Sequence, residues 1–271
     1  MDEDKVKQFI QTYGRVHQII MQVMFQEGVL LKDSFMKKFI EIVNSSASNE
    51  EDIILDNLKQ NIMKEKEYID LLLNVINGEI GRAKLRLVRL HDEFNEGLEG
   101  EQNEYVVLIS LLQPNIVFSA VSEFNTEEKN LIMKWLEEIC LNTDDGISEV
   151  DALNLAGEGV SKKRAEEMID TLVISKFLEK VDSTTLNLGL RSIAELLPLL
   201  SEVSSWKDCA SCVKPVLFEN RAFRCNSCGS CVHRYCAYRL RNCDSEGLIR
   251  CPFKVDSGGL CGCILETSAH K

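Results

Sequence analysis

The sequence predicts a mainly α-helical protein with small β hairpins and a separate cysteine-rich segment near its C-terminus. Apolar residues recur at helical spacing through most of the first two hundred positions. Two pairs of strand-like runs interrupt this pattern. Ten of the eleven cysteines lie within the last 63 of the 271 residues. At about 100–150 residues per domain, this length suggests two or three domains.

The first 122 residues are predicted to form three helices and a long hairpin. Apolar residues between Phe9 and Met24 fall at helical spacing, and Gly28 stands where that helix should end. An acidic, glycine-containing loop from Asp92 to Glu104 separates two strand-like runs. After the first helix we expect helices over about 33–43 and 52–76, the latter stopping at Asn77-Gly78, and strands over 83–90 and 105–111.

The same order of elements recurs over residues 123–203. Helices followed by a two-stranded hairpin are the parts of a winged-helix unit, so we predict two tandem winged-helix units, 1–122 and 123–203. Residues 204–271 then form a third domain. In the second unit we expect a helix capped by Thr126 and running to about Leu141, a short helix started by Ser148–Asp151, a helix capped by Ser161, strands Phe177–Val181 and Thr184–Leu188, and a closing helix over about 190–200.

Charge is distributed unevenly along the chain. The net charge is −12, but residues 206–271 contain ten Lys and Arg against six Asp and Glu, a net of +4, so residues 1–205 carry −16. We call residues 1–205 the body. A body this acidic should bind DNA poorly without sequence specificity, because affinity for phosphates depends on neutralising their charge. With no apolar run near the 18–20 residues that cross a bilayer and an acidic N-terminus, we expect a soluble, intracellular protein without a membrane partner.

One short basic run offers a DNA-contacting alternative. Lys162-Lys163-Arg164 begins the third helix of the second unit, which in a DNA-reading winged helix enters the major groove. Acidic residues follow at once at Glu166, Glu167 and Asp170, and they favour a solvated helix turn. We therefore interpret both units first as docking surfaces for other proteins, with direct DNA contact weak or absent.

The spacing of the cysteines predicts two zinc sites. Two cysteines separated by two residues can hold one tetrahedral zinc from a tight turn, leaving two positions for a second pair. In the cross-brace scheme of RING and PHD modules, the first and third pairs share one metal and the second and fourth share the other. Site one is then Cys209, Cys212, His233 and Cys236, and site two is Cys225, Cys228, Cys251 and either Cys261 or Cys263.

The rest of the segment supports a metal-dependent fold. It has too few large apolar residues to build a core alone, so the metals must supply folding free energy. Phe218, Phe223, Tyr235 and Tyr238 are available to pack around them. Cys231 and Cys243 remain as spare thiols. Between the two open choices for the eighth ligand we favour Cys261, because Cys261-Gly262 repeats the Cys228-Gly229 pattern.

The ligand order fits both RING and PHD modules. A histone-reading PHD finger has tryptophan two residues before the seventh ligand, where this chain has Ile249. Cys251-Pro252 resembles the start of the last RING pair, which contacts ubiquitin-conjugating enzymes. Two departures argue for weak or partner-dependent ligase activity: Ser211 precedes the second ligand, where active RING domains have an apolar contact, and the last pair is stretched by Phe253–Leu260.

The order of the predicted parts, two winged-helix units followed by a zinc module, resembles the non-SMC element 1 family, the RING-like subunit of the structural-maintenance-of-chromosomes five/six complex. The zinc framework carries most of this resemblance. Weaker matches are His17-Gln18-Ile19-Ile20-Met21, Gly28-Val29-Leu30, Tyr105-Val106-Val107-Leu108, Lys162-Lys163-Arg164-Ala165-Glu166-Glu167 and Phe177-Leu178-Glu179-Lys180.

The resemblance implies a nuclear, chromatin-associated protein that acts in DNA repair and recombination. Its winged-helix body would bind a MAGE-type winged-helix subunit, and the pair would join a kleisin. Its zinc module would act as a RING-type ubiquitin ligase, which orients a charged conjugating enzyme and has no covalent catalytic residue of its own. The alternatives are a non-catalytic scaffold subunit of the same kind of complex and a PHD-like histone-tail reader.

Overall fold

The computed structural model describes residues 10–46, 66–94, 103–112, 124–143, 145–157, 159–203, 205–244, 246–254 and 258–265. Over these ranges the chain is mainly helical with small antiparallel sheets, as predicted. No helix within the described ranges is long and apolar enough to cross a membrane.

Within its described residues, the first unit packs three helices against a three-stranded sheet. Its strand order is β1-β3-β2, and both pairings are antiparallel. The sheet buries Leu87, Val106 and Leu108 against the apolar faces of the helices. The elements are α1 (Arg15–Glu27), β1 (Val29–Leu31), α2 (Lys32–Ser46), α3 (Lys66–Ile80), β2 (Leu85–His91) and β3 (Glu104–Ser110).

The second unit repeats this arrangement on a smaller scale. Its strands follow the order β4-β6-β5, again antiparallel. Trp135 is fully buried at the centre of its core, and its indole N–H donates to the carbonyl oxygen of Ala152 at 2.8 Å. The elements are α4 (Thr126–Leu141), β4 (Ile147–Ser148), α5 (Glu149–Asn154), α6 (Lys162–Ile174), β5 (Leu178–Lys180), β6 (Thr185–Leu188) and α7 (Leu190–Val203).

Helix ends follow local signals in most places. Gly28 ends α1 with a positive φ of 70°, and the hydroxyls of Ser148 and Ser161 accept hydrogen bonds at the starts of α5 and α6, as predicted. The N-cap of α4 is Asn125, not the predicted Thr126: the Asn125 amide oxygen accepts from the N–H of Glu128 at 2.9 Å. Asparagine is the stronger cap of the two, so the helix starts one residue after it.

One other expectation needs correction, and two short strands were not expected. Helix α3 continues through Gly78 to Ile80, because one helical glycine costs only about 1 kcal/mol and the packed face of the helix outweighs it. The start of that predicted helix, before Lys66, lies outside the described residues. The short strands β1 and β4 were not predicted, since two or three residues carry no recognisable alternation.

The cysteine-rich module is built from two small hairpins and one helix. Its own core contains Phe223, Val232 and Tyr235 together with five buried cysteines. The sequence suggested that Phe218 packs in this core. Phe218 belongs instead to the core of the second unit, together with Leu217. The elements are β7 (Lys207–Asp208), β8 (Pro215–Val216), β9 (Phe223–Arg224), β10 (Cys231–Val232) and α8 (Arg234–Cys243).

The three parts of the chain meet at one junction. Phe94, which follows β2 of the first unit, is buried in the core of the second unit and meets the Phe218 ring edge to face, with centroids 5.3 Å apart. The guanidinium of Arg221 lies 3.9 Å from the centre of the Phe94 ring. The hydroxyl of Thr143 donates to the carbonyl oxygen of Leu217. The module is therefore packed against the body rather than tethered beside it.

Candidate metal centres

Two tight turns present the first ligand pair of each cluster. In both turns the N–H of the fourth residue after the first cysteine donates back to that cysteine's carbonyl oxygen, from Val213 to Cys209 and from Gly229 to Cys225, each at 2.9 Å. To close the turn, this fourth residue takes a left-handed backbone conformation, with φ of 60° at Val213 and 72° at Gly229. Glycine adopts that conformation freely, whereas a β-branched residue is strained in it.

The first cluster brings together Cys209, Cys212, His233 and Cys236, whose ligand atoms all lie within 4.8 Å of one another. Cys209 and Cys212 come from the first turn, while His233 and Cys236 lie at the start of α8. His233 presents Nδ1 to the sulfur atoms, 3.4 Å from Cys212 Sγ and 4.0 Å from Cys236 Sγ. All of these residues except Cys212 are buried.

The second cluster brings together Cys225, Cys228, Cys251 and Cys261, again within 4.8 Å. Cys225 Sγ lies 3.7 Å from Cys261 Sγ, and Cys228 Sγ lies 3.6 Å from Cys251 Sγ. Cys261 reaches the cluster in spite of the stretched last pair because its N–H donates to the carbonyl oxygen of Phe253 at 2.8 Å. Cys263, the alternative eighth residue, is exposed and lies outside this cluster.

Both donor sets fit zinc. Tetrahedral zinc with bonds of about 2.3 Å to sulfur holds its sulfur ligands about 3.8 Å apart. The sulfur–sulfur distances of 3.6 and 3.7 Å in the second cluster match this spacing. Three thiols with one imidazole, and four thiols, are both common sets for structural zinc. Each cluster could therefore hold one metal ion, and the two clusters interleave along the chain as a cross-brace requires.

Hydrogen bonds favour the deprotonated form of Cys209 and Cys212 in the first cluster and of Cys228 in the second. The pKa of Cys212 is lowered, chiefly by hydrogen bonds from the thiols of Cys209 and Cys236. Burial raises the pKa of Cys228, but hydrogen bonds from Ser230 outweigh it and leave the pKa at about 6. Thiolate is the form that binds metal. Hydrogen bonds with Cys209 and Cys212 instead raise the pKa of Cys236, and burial raises that of Cys251 to about 12, so a metal ion would have to displace protons from these two thiols.

The spare cysteines are placed differently from the ligands. Cys231 is buried in strand β10, and burial raises its pKa, which is typical of an unreactive thiol packed as a small apolar residue. The side chain of Cys243 lies outside the part of the chain that the structure describes. Cys140 is buried in the core of the second unit, where burial raises its pKa to about 12.

Groups around the ligands were not visible in the sequence. Ser230 places its hydroxyl 3.1 Å from Cys228 Sγ and 3.2 Å from Cys251 Sγ in the second cluster. Beside the first cluster, the hydroxyl of Tyr235 lies 3.8 Å from Cys212 Sγ. Glu93, from the first unit, lies 3.2 Å from His233 Nε2. No spacing rule links Glu93 to a histidine 140 positions later, so only the fold reveals the contact.

The basic run at the start of α6 is engaged within the protein. Arg164 Nε lies 2.6 Å from a carboxylate oxygen of Glu128, and its Nη1 lies 3.3 Å from Glu167. Lys162 donates to the side-chain oxygen of Asn154 at 2.9 Å. Two of the three basic side chains thus already have partners on the second unit.

Comparison with solved structures gives a likeness in fold. No protein-family model and no curated protein matches the sequence. A chain in a solved structure of the Nse1-Nse3-Nse4 complex superimposes with a TM-score of 0.63 and 19% sequence identity, over 85% of this chain and 92% of that chain. The resemblance to the non-SMC element 1 family is confirmed at the level of the fold. At this identity the likeness establishes the fold and leaves activity to be tested.

Proposed function

We propose that the chain is a RING-like zinc subunit of a complex of the structural-maintenance-of-chromosomes five/six type, working in the nucleus in DNA repair and recombination. The observation that carries this proposal is the pair of interleaved four-ligand clusters at the end of a body whose fold is like that of a chain in the Nse1-Nse3-Nse4 complex. On this proposal residues 1–122 and 123–203 are winged-helix units, and residues 204–271 are the zinc module.

The body would serve to dock partners. The strand order β1-β3-β2 and its repeat β4-β6-β5 fit a winged-helix pair, which suits a MAGE-type winged-helix subunit and a kleisin as partners. Exposed apolar side chains such as Phe25 and Ile174 are available for such contacts. Co-purification of the native protein followed by mass spectrometry tests this assembly. Recovery of the chain without any partner of this kind would contradict it.

The zinc module would act as a ubiquitin ligase by orientation. A RING module contributes no nucleophile: it holds a charged conjugating enzyme in a reactive geometry. Apolar side chains stand exposed beside ligands of both clusters, Val213 at 75% after Cys212 and Phe253 at 42% after Cys251-Pro252. Val213 supplies, one residue after the second ligand, the apolar contact that Ser211 does not provide before it.

A ubiquitin-discharge assay, with and without a MAGE-type partner, tests the ligase. We expect Val213→Asp to lower discharge at least tenfold while zinc content stays unchanged, because aspartate tolerates the left-handed backbone but removes the apolar contact. Val150→Asp, at a 66% exposed position on α5, is the matched control and should discharge normally. If the wild-type chain fails to stimulate discharge even with the partner, the ligase proposal is wrong.

A non-catalytic scaffold is the second candidate. It is favoured by Ser211, whose N–H donates to Cys209 Sγ at 3.4 Å and whose side chain offers no apolar contact, and by the eight-residue stretch between Pro252 and Cys261. In that case zinc is purely structural, and assembly persists in the absence of any discharge activity. A PHD-like reader has less support, because Ile249 packs against the core of the module instead of standing in an aromatic cage.

Direct DNA binding is proposed to be weak. The body carries −16 over residues 1–205, and Arg164 is paired with Glu128. Charge reversal at Lys162, Lys163 and Arg164 should change duplex binding little. A steep salt dependence of binding that disappears in the reversed variant would instead assign α6 as a recognition helix.

A further inference from the structure

The end of strand β2 lies against the first metal cluster. His91 is the last residue of the strand, and Glu93 lies in the bend that follows it. The backbone is still paired there, since the N–H of Asp92 donates to the carbonyl oxygen of Asn103 at 3.0 Å. Both side chains reach the cysteine-rich module: the His91 ring stacks on Tyr235, and the Glu93 carboxylate meets His233.

Glu93 bridges two groups of the module with its two oxygen atoms. Oε1 lies 3.2 Å from His233 Nε2, and Oε2 accepts a hydrogen bond from the N–H of Leu217 at 3.1 Å. The carboxylate is only 14% exposed, and the His233 side chain is 1% exposed. A buried carboxylate needs donors for both oxygens, and among the described residues Glu93 finds them at His233 and Leu217.

His233 can donate a hydrogen bond to Glu93 while its Nδ1 atom still faces the metal cluster. Nδ1 faces the sulfur atoms of the first cluster, so a neutral ring carries its proton on Nε2. That N–H points to two acceptors, Glu93 Oε1 at 3.2 Å and the carbonyl oxygen of Pro215 at 3.0 Å. Pro215 alone would fix the ring tautomer. What Glu93 adds is a negative charge, which makes the imidazole a stronger electron donor.

The surroundings compensate the added charge and hold the ring in place. The rings of His91, Tyr235 and His233 form a column, with centroids 4.0 Å apart in the first pair and 4.7 Å in the second. A small cavity beside Glu93 and His233 is lined by Arg221 and Arg234 as well. Arg239 Nη2 lies 3.7 Å from Cys236 Sγ. One basic side chain thus contacts a thiol of the cluster, and two more line the cavity beside the carboxylate.

We propose that Glu93 is the positioning carboxylate of the first metal site, supplied by the first unit, so that metal binding and docking of the module onto the body stabilise each other. This rests on zinc occupying that cluster, as proposed above, and is independent of ligase activity. Because such coupling is reciprocal, loss of Glu93 weakens the metal, and loss of the metal weakens the contact between body and module.

Zinc retention in the full-length chain tests the proposal. Outer carboxylates of this kind typically change metal affinity by about 10–100-fold. We expect Glu93→Gln and Glu93→Ala to lose zinc from the three-sulfur, one-nitrogen site at a chelator concentration about 10–100-fold lower than wild type, with the four-sulfur site unchanged. Cobalt substitution distinguishes the two sites by their spectra. Glu219→Gln, which removes a module carboxylate paired with Lys207 at 2.7 Å, is the matched control.

The outcomes separate this proposal from the others. Wild-type retention at both sites in Glu93→Gln would overturn it, as would equal weakening of both sites, which would indicate general destabilisation. If Glu93→Ala does not fold, the nearly isosteric Glu93→Gln decides alone. A wild-type chain that binds no zinc would instead contradict the proposed zinc module itself. Hydrogen exchange at the Leu217 amide gives the reciprocal readout: it should become faster when zinc is removed from wild type.

Discussion

The two metal clusters have nearly the same ligands but very different surroundings. The first, with His233 as its fourth ligand, is held between the module and the body and is contacted by Glu93 and Tyr235. The second has four cysteines, and among the described residues its hydroxyl partner is Ser230 from its own turn. The stretched last pair joins it through Cys261, beside the exposed Leu260.

Because of this difference, a bound metal would have a different structural role in each cluster. A metal in the first cluster would fix the module on the body, because its histidine is hydrogen-bonded across the junction. A metal in the second would order the loop that carries Phe253 and Leu260, which are exposed apolar side chains suited to contact another protein. On the proposals above, the first site is coupled to the architecture of the chain and the second is left for partner recognition.

The largest expected effect is loss of a ligand. Cys236→Ser should leave one zinc per chain and loosen the junction, whereas Cys228→Ser should leave one zinc and an intact junction. Structural zinc contributes about 10–16 kcal/mol to folding in small modules, so the affected part of the module should unfold. Elemental analysis and hydrogen exchange at Leu217 measure both results. Two zincs retained in either variant would contradict the ligand sets.

The next effect compares two phenylalanines on either side of the junction. Phe218 is buried in the core of the second unit, and Phe223 is buried in the module. Phe218→Ala should lower the free energy of unfolding of the body by about 3–5 kcal/mol, while Phe223→Ala should leave it nearly unchanged. Urea unfolding followed by tryptophan fluorescence is suitable, because both tryptophans, Trp135 and Trp206, pack in that core. Equal effects would mean that module and body unfold as one unit.

A smaller effect concerns the hydroxyl beside the second cluster. Ser230→Ala removes a hydroxyl that lies within hydrogen-bonding distance of two sulfur atoms, so zinc in the four-cysteine site should be held about tenfold less tightly. Ser211→Ala is the matched control, since Ser211 contacts Cys209 Sγ through its backbone N–H. Chelator competition should show a change for the first variant alone. A change of similar size in both variants would refute a special role for the Ser230 hydroxyl.

The smallest expected effect is that of Cys263→Ser. Cys263 is exposed and outside the described clusters, so the chain should keep two zincs and unchanged affinity. Cys231→Ala, at a buried position away from the ligand atoms, should also keep two zincs. Elemental analysis decides both. Loss of one zinc on replacing Cys263 would make it the eighth ligand in place of Cys261.

Some features of the fold could be predicted because the interactions that determine them are local. Gly28 ends α1, and Ser148 and Ser161 begin α5 and α6, since a cap depends on a few neighbouring backbone groups. Prediction failed where packing opposes the local signal. The helix across Gly78 continues because its apolar face is buried against the sheet, which no capping rule anticipates.

For the candidate site, the types of ligand and their local pairing follow from the sequence, whereas their surroundings depend on long-range packing. Two-residue spacings make cysteine pairs neighbours in one turn, so Cys209 with Cys212 and Cys225 with Cys228 are fixed locally. Which pairs face each other, and that Cys261 rather than Cys263 reaches the second cluster, depends on how distant segments pack. The contact of Glu93 with His233 is wholly tertiary, because it joins residues from separate parts of the chain.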